Sequence, residues 1–246
     1  MIRPVWRSWL NLLYPAHCLL CSAPLDPHGS FTTLCDACRQ RLHQHQPPFC
    51  AGCGRPLPYA TAAGTVRLSA ERCPDCLRQR RSTDRVWAAY PYNDTLQHCI
   101  HLAKFQGKTH LLNDLGTLMV QFAQDHHLAD TIDVVTAVPL HPVRLRERGF
   151  NQSERLARIL GQRLSRPVVR PLTRMRHTPP QSRQGKQARL ASVRRAFVVR
   201  QAELIAERTV LLVDDVVTTG ATLDACGRAL LDSGARRVIG FVLAHG

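Results

Sequence analysis

Residues 210–223 read VLLVDDVVTTGATL, and this stretch decides the fold. The apolar run Thr209–Val213 shows no polar alternation, which is typical of a strand buried on both faces of a parallel sheet. Two acids follow, then a short threonine-rich loop, then a helical pattern that begins near Leu223. A strand, loop and helix in this order leave the backbone N–H groups of the first helical turn pointing at one place. The stretch therefore predicts a phosphate site.

The two acids, Asp214 and Asp215, indicate a ligand because neighbouring carboxylates repel each other and need solvent or a partner. A ribose diol, or a magnesium ion with its waters, would be such a partner. The alternative is an ordinary strand, loop and helix whose acids are only solvated.

The order of residue types in this stretch resembles the signature of the type I phosphoribosyltransferases, which bind phosphoribosyl pyrophosphate (PRPP). That order is four apolar residues, two acids, two apolar residues and a Thr/Gly-rich loop. The resemblance implies that Asp214 and Asp215 bind the ribose hydroxyls as the catalytic acids. It also implies that the loop residues bind PRPP around the 5′-phosphate: Val217, Thr218, Thr219, Gly220, Ala221 and Thr222.

Eight of the ten cysteines fall in four C-x-x-C pairs, a spacing typical of metal sites in which two pairs bind one tetrahedral zinc ion. Sequential pairing gives site one as Cys18, Cys21, Cys35 and Cys38, and site two as Cys50, Cys53, Cys73 and Cys76. An interleaved pairing, first pair with third and second with fourth, stays open. An all-cysteine site leaves no position for a catalytic water, so we expect both zinc ions to be structural.

The residues after 83 alternate between strand and helix patterns. Strands are predicted at 86–92, 133–139, 166–172, 196–199 and 237–243, with helices that begin near Leu96, Leu111 and Gln152. Residues 140–152 are predicted to be a loop with three arginines at the sheet edge where ligands bind. The long polar stretch 173–195 is predicted to be a lid, a binding loop or disordered, and in an enzyme it would close over the site.

Four segments together resemble the ComF family of competence and DNA-utilisation proteins, which includes the GntX group. They are Val138-Pro139, Arg146-x-Arg148-Gly149-Phe150-Asn151-Gln152, Thr178-x-x-Gln181 and the acidic pair. The resemblance implies an α/β fold: a type I phosphoribosyltransferase-like open, mostly parallel sheet with flanking helices, preceded by a small double zinc ribbon. We expect the ribbon and a short N-terminal helix in residues 1–82 and the phosphoribosyltransferase-like domain in 83–246. In this interpretation Mg²⁺ and three arginines hold the pyrophosphate of PRPP, namely Arg144, Arg146 and Arg148. The stretch 173–195, as a flexible loop, contributes Gln181, Arg183, Lys186 and Arg189.

The net charge of +15 is concentrated in residues 133–200, which hold 16 basic and 3 acidic residues. A pyrophosphate needs only two or three cations, so this excess favours a polyanion such as single-stranded DNA. The alternative is a basic, solvated surface, because Phe150 and Phe197 are the only aromatic residues of this segment that could stack on bases.

Three functions stay open. The chain is a phosphoribosyltransferase of unknown acceptor, a catalytically silent protein of that fold that binds PRPP or single-stranded DNA, or a zinc-ribbon adaptor for DNA-uptake machinery. Thr218 stands where purine-salvage enzymes carry an aspartate that accepts a proton from the base, so the acceptor is undefined. The sequence contains no run of about eighteen apolar residues, so no transmembrane helix is predicted. We expect a cytoplasmic protein, peripheral at the inner face of the membrane if Trp6 and Trp9 contact lipid.

Overall fold

A computed structural model describes residues 16–26, 29, 31–45, 48–57, 72–78, 81–175 and 196–246. Several residues with sequence predictions lie outside these ranges: Trp6 and Trp9 of the predicted N-terminal helix, and Gln181, Arg183, Lys186 and Arg189 of the predicted loop.

In its described residues, the cysteine-rich part is built from tight turns rather than long elements. The two helices described there are α1 (Asp36–Gln40) and α2 (Pro74–Leu77), and each begins directly after a cysteine. Isolated antiparallel bridges join His17 to Pro24 and Phe49 to Pro56, so each bridge closes the turn of one C-x-x-C pair.

The remaining residues form an α/β unit. Its elements in chain order are β1 (Arg85–Pro91), α3 (Asp94–Phe105), α4 (Leu111–Asp125), β2 (Val134–Ala137), α5 (Pro142–Arg148), α6 (Gln152–Arg163), β3 (Leu172–Arg174), β4 (Phe197–Val199), β5 (Thr209–Val217), α7 (Ala221–Asp232) and β6 (Arg237–His245). Two short 3-10 helices, Leu128–Thr131 and Ala202–Leu204, complete the described elements.

The main sheet has the strand order β1-β6-β5-β2, and all three pairings are parallel. A core of apolar residues from α3, α4 and α6 covers one face, and a second core with α7, β3 and β4 covers the other. The central strands β5 and β6 are buried almost throughout, which explains the absence of polar alternation in their sequences. The predicted open parallel sheet with flanking helices is confirmed.

Two local predictions were wrong. Residues 140–152 are not a loop throughout, because Pro142 at the first helical position and Gly149 in the left-handed region (φ 79°) bound the helix α5. The strand predicted at 166–172 is reduced to a parallel bridge between Val135 and Val168. The chain then turns away from the main sheet at Leu172 and pairs antiparallel with β4.

A buried carboxylate holds site one of the ribbon against the α/β unit. Asp114 on α4 is 2% exposed. Its oxygens accept hydrogen bonds from the backbone N–H and the hydroxyl of Thr32 (3.1 and 3.3 Å) and of Thr33 (2.8 and 2.6 Å). A fifth hydrogen bond comes from the N–H of Leu34 at 3.1 Å. The segment that leads into Cys35 is therefore fixed to α4.

Site two packs on the edge strand β1. The N–H of Val86 donates to the carbonyl of Ala51 at 2.8 Å. Gly54 lies so close to the strand that a Cβ would be 2.9 Å from the nitrogen of Ala88, and its φ of 78° also favours glycine. The edge of the sheet is thus covered by the second ribbon turn.

Candidate functional site

Asp215 lies within β5 near its carboxyl end, and its carboxylate is almost fully buried at 6% exposure. The amide of Gln152 donates to Oδ1 at 3.3 Å, and the ammonium group of Lys104 is in contact with Oδ2. Oδ2 accepts no hydrogen bond from the other described residues. The charge of Asp215 is therefore balanced by a lysine from the last turn of α3.

Asp214 shares the strand end but has a different environment. Its Oδ1 accepts hydrogen bonds from the hydroxyl of Ser153 at 2.7 Å and from the N–H of Asp215 at 2.9 Å. Burial, followed by the neighbouring charge of Asp215, raises the pKa of Asp214 to about 7. A hydroxyl donor or a cation at this place would stabilise the ionised form.

The loop after β5 forms the N-terminal end of α7. Gly220 has a φ of 73° and precedes the first helical residue, Ala221. Thr218 and Thr219 are exposed, whereas Ala221 and Thr222 are half-buried. This loop, residues 218–222, leads into a twelve-residue helix, whose first N–H groups have no acceptor within the helix and can bind an anion. We call it the phosphate loop.

A cleft of about 350 Å³ begins at Lys104 and runs between α3 and α5. Arg144 and Arg148 line it, together with Phe105. Arg148 donates to the side-chain oxygen of Gln152 at 2.5 Å and lies 5.3 Å from the ring centroid of Phe105. Three cations therefore face one cavity next to Asp215, an arrangement that suits a pyrophosphate.

The third predicted arginine of this group lies elsewhere. Arg146 is exposed to solvent and does not line the cleft. Residues 144, 146 and 148 cannot all face one side of a helix, because positions two apart point in different directions. A loop could have brought the three guanidinium groups to one cavity, whereas the helix α5 cannot.

Two cations that contact this region could not be predicted from the sequence. Lys104 sits in the last turn of an amphipathic helix, where a lysine is ordinary. Arg81 donates from Nη1 to the carbonyl of Thr219 at 2.9 Å. Both contacts join residues more than a hundred positions apart, so no local pattern predicts them.

The eight paired cysteines form two groups of four, Cys18/21/35/38 and Cys50/53/73/76, and the sulfur atoms within each group lie within 4.8 Å of one another. The grouping is sequential, not interleaved. Cys21 and Cys35 sulfurs are 3.5 Å apart, and those of Cys53 and Cys73 are 3.8 Å apart. Tetrahedral zinc with Zn–S bonds of about 2.3 Å requires S···S separations of about 3.8 Å, so both groups fit zinc.

Backbone donors support thiolates in both groups. Burial acts to raise the pKa of Cys50, but hydrogen bonds from the backbone of Cys73, Cys53 and Gly52 lower it to about 7. The N–H of Cys73 donates to the Cys50 sulfur at 3.1 Å. Cys18 behaves in the same way: backbone donors overcome burial and lower its pKa to about 7. Such N–H···S contacts are typical of closed structural zinc sites.

Many arginines of the basic segment are bound within the protein. Arg158 and Arg170 both contact the carboxylate of Glu154. Arg166 donates to the carbonyl of Ala129 at 2.9 Å. Part of the excess positive charge of residues 133–200 therefore belongs to arginines that bind carboxylate or carbonyl oxygens within the protein.

Within the described residues, the helices are all too short or too polar to cross a membrane.

Comparison with family models divides the chain in two. Residues 9–78 match the double zinc ribbon domain, and residues 147–246 match the phosphoribosyl transferase domain.

Curated relatives match along most of the chain. Competence protein ComFC of Bacillus subtilis (strain 168) is 30% identical over 242 residues, which cover 92% of this chain and 93% of that protein. Competence protein F of Haemophilus influenzae is 29% identical, covering 85% of this chain and 95% of that protein. DNA utilization protein YhgH of Escherichia coli (strain K12) is 29% identical, covering 92% and 96%.

Solved structures align with about half of the chain. Glutamine PRPP amidotransferase from B. subtilis aligns with a TM-score of 0.37 and 21% identity, covering 53% of this chain and 25% of that one. A purine phosphoribosyltransferase from Pyrococcus horikoshii Ot3 aligns with a TM-score of 0.32 and 16% identity, covering 54% and 82%.

Proposed function

The chain belongs to the ComF family of competence and DNA-utilisation proteins, and on that premise we propose that it binds PRPP with Mg²⁺ and transfers its phosphoribosyl group. The observation that carries this proposal is the meeting of three features at one sheet edge. The acidic pair ends β5, the phosphate loop begins α7, and the cleft with its three cations adjoins Asp215.

In this function the acidic pair binds the ribose hydroxyls. Burial and the charge of Asp215 raise the pKa of Asp214 to about 7, and hydrogen bonds from the ribose hydroxyls favour its ionised form. The backbone N–H groups of the phosphate loop bind the 5′-phosphate. These contacts fix the sugar between the loop and the strand end, so that C1 is held in one position.

The cleft binds the pyrophosphate. Arg144 and Arg148 are paired with Glu147 and Gln152 in the ligand-free protein, and both face the cavity. Lys104 lies between the cleft and Asp215, so its ammonium group reaches either the carboxylate or a leaving oxygen. Their positive charge stabilises the pyrophosphate as it separates from C1 in an oxocarbenium-like transition state.

The site also fits Mg²⁺ by its donor chemistry. Mg²⁺ prefers carboxylate and phosphate oxygens, and a cation already contacts Oδ2 of Asp215 in the form of Lys104. Asp214 and Asp215 would hold the ion or its waters. When bound with the pyrophosphate, Mg²⁺ supplies further neutralisation of the leaving group.

A role in DNA uptake or utilisation is proposed from the relatives' names. The second candidate function, binding of PRPP or single-stranded DNA without turnover, is favoured by the exposed Arg146 beside the cleft. The zinc-ribbon adaptor for DNA-uptake machinery stays a prediction from the sequence, as does the peripheral membrane position.

Isothermal titration calorimetry with Mg²⁺ and PRPP tests the proposal. Wild type should bind one PRPP per chain, and Asp215→Asn should weaken binding about 10- to 100-fold, as expected for the loss of a charged hydrogen-bond acceptor. Lys104→Met should weaken it by a smaller factor. Asp130→Asn is the matched control, because Asp130 is exposed and lies before β2, at the opposite edge of the sheet.

Equal affinity of Asp215→Asn and wild type would show that PRPP does not use this site. Tight binding without release of pyrophosphate, with single-stranded DNA bound at the same time, would favour the second candidate.

A further inference from the structure

A group of basic side chains lies where the ribbon meets the carboxyl end of the sheet. It consists of His45, Arg55, Arg81 and His245, and we call it the junction cluster. In each of these side chains one buried nitrogen has no hydrogen-bond partner among the residues that the structure describes: Nε2 of the two histidines and Nε of the two arginines. An unpaired buried donor or acceptor is destabilising, and native proteins keep such groups where a ligand or water pairs with them.

Backbone contacts bring the two histidines to the ends of neighbouring strands. The N–H of His45 donates to the carbonyl of Ala89 on β1 at 3.0 Å. Pro91 of the same strand pairs in register with His245, the last residue of β6. Burial, and then the nearby Arg55, His45 and Arg81, lower the pKa of His245 to about 4. The four side chains therefore share one electrostatic environment.

Arg81 connects the junction cluster to the phosphate loop. Besides its 2.9 Å bond to the carbonyl of Thr219, its Nη1 lies only 2.3 Å from where a Cβ on Gly220 would be. The loop can approach this guanidinium because residue 220 is glycine. On the other side, His245 pairs in register with Val217, the last residue before the loop.

The strand order places the junction cluster and the cleft on opposite sides of the acidic pair. β5 carries Asp214 and Asp215 and lies between β6, which ends at His245, and β2, which leads to α5 and the cleft. In a single displacement with inversion at C1 of a sugar, the nucleophile and the leaving group lie on opposite faces. With the pyrophosphate in the cleft, the junction cluster lies on the side from which the acceptor must arrive.

Resting on the proposed function, we propose that the junction cluster is the acceptor subsite. It binds a small compound that carries a reactive N–H beside a carboxylate or carbonyl, and Nε2 of His45 accepts the proton. The guanidinium groups bind the carboxylate or carbonyl oxygen. The ribbon thus supplies half of the active site, through His45 and Arg81.

The hydrogen bonding of His45 fits a proton acceptor. Burial lowers the pKa of His45, which favours the neutral ring at pH 7, and a contact with the backbone of Tyr90 acts in the opposite direction. Nε2 has no hydrogen-bond partner among the described residues, so a ring protonated on Nδ1 has its lone pair on Nε2. A threonine at position 218 cannot accept a proton at neutral pH, so the imidazole supplies what the phosphate loop lacks.

In the transfer step, the nitrogen lone pair of the acceptor forms a bond to C1 of the ribose. The bond from C1 to the pyrophosphate oxygen breaks, and its electron pair leaves with the pyrophosphate. The proton of the acceptor N–H moves to Nε2 of His45, which becomes imidazolium and later releases the proton to water. The products are the phosphoribosylated acceptor, pyrophosphate and one proton.

Pyrophosphate release from Mg²⁺–PRPP, measured with orotate, anthranilate, uracil and hypoxanthine as probes, tests the acceptor subsite. Wild type should release pyrophosphate with at least one probe. His45→Gln should lower that rate about 100-fold or more, the usual contribution of a general base, while the Kd for Mg²⁺–PRPP changes less than twofold. His245→Gln should raise the KM for the probe more than it lowers kcat. The matched control His127→Gln removes an exposed histidine before β2 and should change neither value.

Turnover of His45→Gln at the wild-type rate would overturn the acceptor subsite. So would a wild type that binds Mg²⁺–PRPP but releases no pyrophosphate with any probe. Neither result would affect the PRPP site. A wild type that does not bind Mg²⁺–PRPP would instead refute the proposed function. Zinc content near two per chain in every variant shows that the ribbon is folded.

Discussion

Removal of the Asp114 carboxylate should release the first half of the ribbon from α4. In Asp114→Ala the N–H groups of Thr32, Thr33 and Leu34 lose their acceptor while they remain partly or fully buried. Each unpaired buried donor costs about 1–3 kcal/mol, and relaxation toward water recovers part of the total. We expect a loss of about 4 kcal/mol in the free energy of unfolding, which lowers Tm by about 10 °C for a protein of this size.

Differential scanning calorimetry measures this loss, and Asp125→Ala is the control because Asp125 is exposed at the end of the same helix. Asp114→Asn should also destabilise the protein, since its amide NH₂ would face donors that now bond to both carboxylate oxygens. A Tm of Asp114→Ala within about 2 °C of wild type would refute the anchoring role. Such a result would also weaken the acceptor subsite, which needs the ribbon held against the sheet.

Two further predictions concern pH and zinc. The raised pKa of Asp214, about 7 against an ordinary 3.8, makes the ligand-free folded state hold a proton that the unfolded chain has released. Its contribution to stability is therefore complete below pH 3.8 and lost as pH rises through 7. Asp214→Asn should flatten this part of a plot of Tm against pH, and an unchanged slope would assign the titration to another group. Site one has an exposed ligand in Cys21, whereas all four ligands of site two are buried, so a chromogenic chelator should remove zinc in two phases. Cys21→Ser should eliminate the fast phase and Cys53→Ser the slow one; loss of the same phase in both variants would contradict this order.

The sequence was sufficient where the determining pattern is local. The run Val210–Leu223 contains a buried strand, a turn glycine and the start of a helix in one continuous segment, and each is present in the structure. The C-x-x-C spacing likewise predicts that each tight turn supplies two ligands to one ion, but only the structure shows which turns share an ion. The helix break at Gly107, which has a φ of 68°, follows from the same kind of local signal.

Contacts between distant segments could not be predicted in this way. The hydrogen bonds of Asp114 with the ribbon, the contact of Lys104 with Asp215 and the bond from Arg81 to Thr219 each join separate elements. A single charged residue on an amphipathic helix is predicted to lie at the solvated surface, because its neighbours in the sequence do not indicate which distant segment it contacts. The helix α5, in contrast, could have been predicted from the sequence, because Pro142 and Gly149 are local signals for its two ends. The three arginines between them were instead interpreted as part of a ligand-binding loop.

A structure of the protein with Mg²⁺ and PRPP bound tests the central claim most directly. We predict the ribose hydroxyls within hydrogen-bonding distance of Asp214 and Asp215, and the 5′-phosphate on the backbone N–H groups of residues 218–222. The pyrophosphate should lie in the cleft beside Arg144 and Arg148. Ligand density away from the strand end, with Lys104 still in contact with Asp215 and the phosphate loop empty, would contradict the account.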